Sequence, residues 1–123
     1  MKRIEQYVDD SIYPEINKIV IDPIQNSKLG LIIMSGNNPN LELIEPINNK
    51  STTYNYLKKT GGGYHHICFE IETNNELENY FKRYKIKKIY GPVNAILFDN
   101  KQVVFGYTKN REIVEFLILD NSK

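Results

Sequence analysis

The residues that could do chemistry are few. A histidine pair, His65-His66, opens the alternating run "YHHICFEIE", which places His66, Cys68 and Glu70 on one face of a strand and His65, Ile67, Phe69 and Ile71 on the other. Two glutamates interrupt otherwise apolar strands: Glu42 between Leu41 and Leu43, and Glu115 between Val114 and Phe116. Alternation turns each away from its core-facing neighbours. Such carboxylates are inexpensive on a solvated face and costly if enclosed without a partner. One reading is therefore two solvated glutamates and a structural histidine. The other is a metal site, in which one His and two Glu suit a divalent ion such as Zn, Co, Ni, Mn or Fe.

Other candidates are thinner. Cys68 reads as a small buried packing residue, because a strand supplies neither a helix N-terminus nor a basic neighbour to activate its thiol. The glycines 61–63 lack the Lys-Ser/Thr ending of a phosphate loop and read as a turn. Lys82, Arg83, Lys85, Lys87 and Lys88 form a basic cluster at a predicted helix end, a solvated arrangement that favours the helix dipole and that a phosphate-bearing substrate such as a CoA thioester could use. No Ser-His-Asp arrangement follows from spacing.

The elements that must position these residues come in two series. Ile4, Tyr7, Val8, Ser11 and Ile12 fit one helical stripe that Pro14 should end; "EINKIVID", "KLGLIIM" and "LELIE" then read as three antiparallel strands. Residues 51–59 predict a short helix stopped by the glycines. After the strand containing His66, Thr73 and Glu76 form a capping box for a helix carrying Leu77, Tyr80, Phe81 and Tyr84, followed by "IKKIYG", "AILF", "QVVFGY" and "EIVEFLIL" as strands, with a turn at Asp99-Asn100-Lys101. An offset of 73 superposes "IEQYV" on "LENYF" and "LGLIIMSGNNPNLELI" on "QVVFGYTKNREIVEFL" without a gap, bringing Glu42 onto Glu115. Helix falls on helix and strand on strand, as a duplication requires.

The expected fold is α+β: one domain over 1–123, built from two βαβββ modules, with module one at 1–46, a connector at 47–63 and module two at 64–120. The same offset puts the partner of the 65–72 strand at −8 to −1, so module one lacks its opening strand. An uncovered sheet edge favours a homodimer or a strand exchange. At 123 residues the chain can bury about two-thirds of its unfolded surface without disulfides. With Lys+Arg 16 against Asp+Glu 15, a net charge of +1 gives no field from which to argue a nucleic-acid or membrane partner. The single cysteine, the charged first twenty residues and the absence of a long apolar run suggest a cytoplasmic protein.

The runs "LELIEP…YLKKTGGGYHHICFEIE", "GPVNAILFDNKQVVFGY" and "IVEF" resemble the vicinal oxygen chelate superfamily, within it the glyoxalase-like branch that includes the methylmalonyl-CoA epimerases, from about Ile4 to Leu119. The resemblance implies paired modules forming a cupped mixed sheet around a divalent metal, with a proton moved next to a metal-chelated carbonyl by a carboxylate. It implies His66, Glu42 and Glu115 as metal ligands and Glu115 as the proton carrier. The family's fourth ligand, a histidine of the opening strand, would fall before residue 1, and its extra catalytic carboxylate has no counterpart in "KLGLIIM". An epimerase or lyase acting on a small thioester or 2-oxo substrate is the leading expectation. The alternatives are a non-catalytic binding module like the bleomycin-resistance proteins and a chain completed by a partner polypeptide.

Overall fold

A computed structural model describes residues 3–13 and 15–120. The chain forms two compact units, Met1–Gly63 and Tyr64–Lys123.

In the first unit, α1 (Ile4–Asp9) precedes β1 (Lys18–Asp22), β2 (Ser27–Ile32), β3 (Leu41–Pro46) and α2 (Tyr54–Thr60). The three strands form an antiparallel sheet in the order β1-β2-β3. The β1–β2 hairpin closes where the buried Asp22 Oδ1 accepts the backbone N–H groups of Ile24 and Gln25, with Asn26 left-handed at φ 51°. Helix α1 seats Ile4 over Gly30, where a Cβ would come within 3.1 Å of the Ile4 side chain. The first helical N–H, that of Ile4, donates to the Glu45 carboxylate at 2.9 Å, tying α1 to β3.

Helix α1 is shorter than its apolar stripe suggests. Ser11 Oγ donates to the Val8 carbonyl and accepts from the Tyr13 N–H, so a local turn replaces the next helical turn and leaves Ile12 exposed. Pro14, the expected stop, lies outside the described residues.

The second unit runs β4 (Ile67–Ile71), α3 (Asn74–Tyr84), β5 (Lys87–Ala95), a 3-10 turn (Ile96–Phe98), β6 (Lys101–Tyr107) and β7 (Ile113–Ile118). Its sheet has the order β4-β7-β6-β5, with β4 parallel to β7 and the other pairs antiparallel. Thr73 Oγ1 accepts the Glu76 N–H at 3.1 Å, as the capping box requires, and Lys85 closes the helix in the left-handed region. One face of the sheet packs Val104, Phe116 and Ile118 against Leu77 and Phe81 of α3. The opposite face carries Ala95, Val103, Phe105 and Leu117.

Two expectations change here. "AILF" is not a separate strand: Ala95 ends β5 and Ile96–Phe98 make a 3-10 turn, because consecutive left-handed residues Asp99 and Asn100 reverse the chain immediately after it. Cys68 is exposed rather than buried, since β4 is the outer strand of its sheet and every side chain from Ile67 to Glu70 is exposed.

The duplication is visible within the units. Helix then three antiparallel strands, α1-β1-β2-β3, recurs as α3-β5-β6-β7, at the offset of 73. Among the described residues the first sheet has three strands and the second four, the additional one being β4. No helix among the described residues is long and apolar enough to cross a membrane.

Candidate functional site

The parallel pairing of β4 with β7 sets Cys68 beside Glu115. Residues paired across a ladder point to the same face, and so does the residue two positions before Cys68. That residue is His66. It lies just ahead of the first ladder residue, Ile67, rather than within the strand, which frees its ring to turn inward. Its Nε2 stands 3.0 Å from Glu115 Oε1, with 8% and 5% of the two side chains exposed.

This face of β7 is not solvated. Glu115 is directly opposite Phe105 on β6, and the His66 ring meets the Phe105 ring edge-on with centroids 5.2 Å apart. The apolar cluster of Val103, Phe105 and Leu117 shares the face. A carboxylate enclosed here needs a partner, and His66 is that partner.

The second nitrogen of His66 is also held. Nδ1 of His66 lies 2.7 Å from Nδ1 of His65, with the rings nearly perpendicular at 82°. Burial lowers the His65 pKa below its ordinary 6.5, His66 adds to the effect and Glu115 opposes it. The sequence reading puts His65 on the face opposite His66 and gives neither His65 nor Phe105 a role; adjacency was the available signal for His65, whereas Phe105 follows only from the ladder register.

Glu42 belongs to β3 of the first unit, opposite Leu31 of β2, and is half-buried. The alternation expected of this strand does not appear: every residue from Leu41 to Glu45 is half-buried. The glycines that read as a turn do end α2, Gly61 donating its N–H to Leu57 O from the left-handed region. Lys82, Arg83, Lys85, Lys87 and Lys88 are all exposed.

The donor set of the second unit fits a divalent ion. An imidazole nitrogen and a carboxylate oxygen bound at about 2.1 Å and at right angles to each other are separated by about 3.0 Å. His66 Nε2 and Glu115 Oε1 have that spacing.

The fold has counterparts among known proteins. No family model matches the chain. The mitochondrial methylmalonyl-CoA epimerase of Dictyostelium discoideum is 30% identical over 94 residues, 74% of this chain and 56% of that protein. The human mitochondrial enzyme is 28% identical over 89 residues, 72% of this chain and 50% of its own length. Among solved structures, methylmalonyl-CoA epimerase from Mycobacterium tuberculosis superposes with a TM-score of 0.76 at 17% identity, covering 94% of this chain and 77% of the other. A methylmalonyl-CoA epimerase in complex with methylmalonyl-CoA and NH4+ gives 0.72 at 18% identity, over 94% and 83%. The chain has the vicinal oxygen chelate fold. It spans about half the length of the first two curated relatives it matches. The repeated helix-and-three-strand order of its two units is the duplication on which that fold is built.

Proposed function

We propose that this chain is an isomerase of the methylmalonyl-CoA epimerase type within the vicinal oxygen chelate superfamily, moving a proton on the carbon next to the carbonyl of a small thioester. The observation that carries the proposal is the buried His66–Glu115 pair, whose nitrogen and oxygen converge at 3.0 Å beside the apolar cluster of Val103, Phe105 and Leu117. In this reading His66, Glu115 and Glu42 hold a divalent metal. Glu42 joins the set on the resemblance of "LELIEP" and on its match to Glu115 in the repeat. When bound, the metal supplies Lewis acidity that lowers the cost of ionising the C–H next to a carbonyl.

The remaining work falls to the chain. His66 presents Nε2 and keeps the Glu115 carboxylate oriented. Glu115 takes the proton from the substrate carbon on a carboxylate oxygen, where it exchanges with solvent, and a proton goes back on the other face once the planar carbon has turned over before the carboxylate, which inverts the centre with no net change in atoms or charge. Phe105 and the neighbouring apolar side chains exclude water, so that the carboxylate is not levelled by solvent. The similarity to epimerases, one of them holding methylmalonyl-CoA, supports a CoA thioester as substrate class. The exposed basic residues from Lys82 to Lys88 offer charge for its phosphates. A homodimer in which a second copy covers the outer edge of β3 accords with the three-stranded first sheet.

Elemental analysis of the loaded protein tests the centre, and wash-in of solvent deuterium at C2 of methylmalonyl-CoA tests the reaction. About one divalent ion per chain is expected, lost in His66→Ala and weakened in Glu42→Gln, with deuterium incorporation following the metal. A chain that takes up no metal after loading would overturn the proposal in favour of a metal-free ligand-binding module.

A further inference from the structure

A histidine that ligates through Nε2 as a neutral ring carries its one proton on Nδ1, and that N–H must find an acceptor if the ring is buried. In this chain the group facing Nδ1 of His66 is neither a carboxylate nor a backbone carbonyl. It is Nδ1 of the preceding histidine, at 2.7 Å.

Two nitrogens at that distance share one proton. With Nε2 of His66 given over to ligation, the shared proton belongs to His66, and His65 Nδ1 must be a lone pair with its own proton on Nε2. The near-perpendicular ring arrangement, 82° with centroids 5.0 Å apart, suits an in-plane N–H meeting an in-plane lone pair. The two rings come from adjacent residues on opposite sides of the chain, so the contact needs the backbone to leave the strand pattern at the doublet. It does so: the β4 ladder starts only at Ile67.

The geometry points to His65 as a positioning residue: its Nδ1 accepts the Nδ1–H of His66, selecting the tautomer that leaves Nε2 free and aiming it at Glu115. This rests on the metal-binding reading above and adds to it a residue outside the ligand set. Removing such outer partners typically weakens metal binding by about 10–100-fold.

The test is zinc affinity, measured by chelator competition, in the wild type, His65→Phe and His65→Gln, with circular dichroism confirming that each is folded. Phe keeps a ring against His66 but cannot accept a proton; Gln loses the ring and keeps an acceptor oxygen. The expected order is a loss of about 10–100-fold in His65→Phe, with most of it recovered in His65→Gln. In the zinc-loaded wild type, 1H–15N spectra should also show a solvent-protected His66 Nδ1–H that disappears in His65→Phe.

A purely packing role predicts the reverse order of affinities, and that result overturns the inference. So does a wild type that binds zinc through His66 with no protected Nδ1–H, or a folded His65→Phe protein that binds zinc as tightly as the wild type; both leave the metal-binding reading standing. A wild type that takes up no zinc overturns the metal-binding reading itself, and the inference with it.

Discussion

Deleting the His66 ring should destabilise the metal-free protein far more than neutralising Glu115 does. His66→Ala leaves a carboxylate that is 4% exposed opposite Phe105, with its partner gone. Breaking a buried pair in this way costs about 3–5 kcal/mol, and the lost edge-on contact with Phe105 adds about 0.5–1.5 kcal/mol. Glu115→Gln keeps the shape and an oxygen that can accept from His66, so it forfeits only the charge assistance of one hydrogen bond, about 1 kcal/mol. The difference between the two variants should therefore exceed about 2 kcal/mol, a large part of the roughly 5–15 kcal/mol that holds a protein of this kind together. Removing both partners, as His66→Ala with Glu115→Leu, should recover much of the loss because no orphaned charge remains. Urea unfolding in the presence of a chelator measures all three. Equal losses in His66→Ala and Glu115→Gln, or a double variant as unstable as His66→Ala, would refute the claim that enclosure of the carboxylate is what makes His66 necessary.

Three other outcomes follow from the same structure. Glu115→Gln should abolish deuterium incorporation into methylmalonyl-CoA while the protein stays folded; activity comparable to wild type would remove Glu115 from the role of proton carrier. Gly106→Ala would bring a Cβ to 2.5 Å from Ile86 Cγ2 and 3.1 Å from the Phe81 ring, and should cost about 1–3 kcal/mol in thermal or urea unfolding through overpacking under α3. Burial lowers the His65 pKa, so below about pH 6.5 the unfolded chain binds more protons at this residue than the native one. Its contribution to stability is therefore full above that value and declines as pH falls through and below it, and His65→Phe should have the shallower acid limb; superimposable profiles would contradict this.

Much of the fold was legible because local rules and the duplication agree. The Thr73 cap, the alternating runs and the turn at Asp99-Asn100 each mark an element, and the offset of 73 pairs them correctly. The misreadings have local causes. A serine hydroxyl at position 11 offers the backbone a turn that an apolar stripe cannot reveal. The apolar run "AILF" is too short for its composition to distinguish a strand from the turn that ends one. Cys68 reads as a buried packing residue because a strand gives its thiol nothing to activate it, yet it is exposed: residue type and alternation identify a face without saying whether anything covers it.

That same limit explains what was legible of the site and what was not. Glu42 and Glu115 look alike in sequence, each a single acid inside an apolar run. Their strands differ. β7 lies between β4 and β6, and from Glu115 to Ile118 it is buried on both faces, whereas β3 ends its sheet order and is half-buried along most of its length. An acid in a strand covered on both faces has no solvated side to turn to, so the fold must supply a proton or a cation there. His66 is positioned to supply the first, its Nε2 lying 3.0 Å from Glu115 Oε1. The feature most diagnostic of function in "IVEFLIL" is thus the single residue that breaks the pattern of a central strand, and its meaning depends on strand order, which emerges only when β4 returns parallel to β7 and carries His66 to its side.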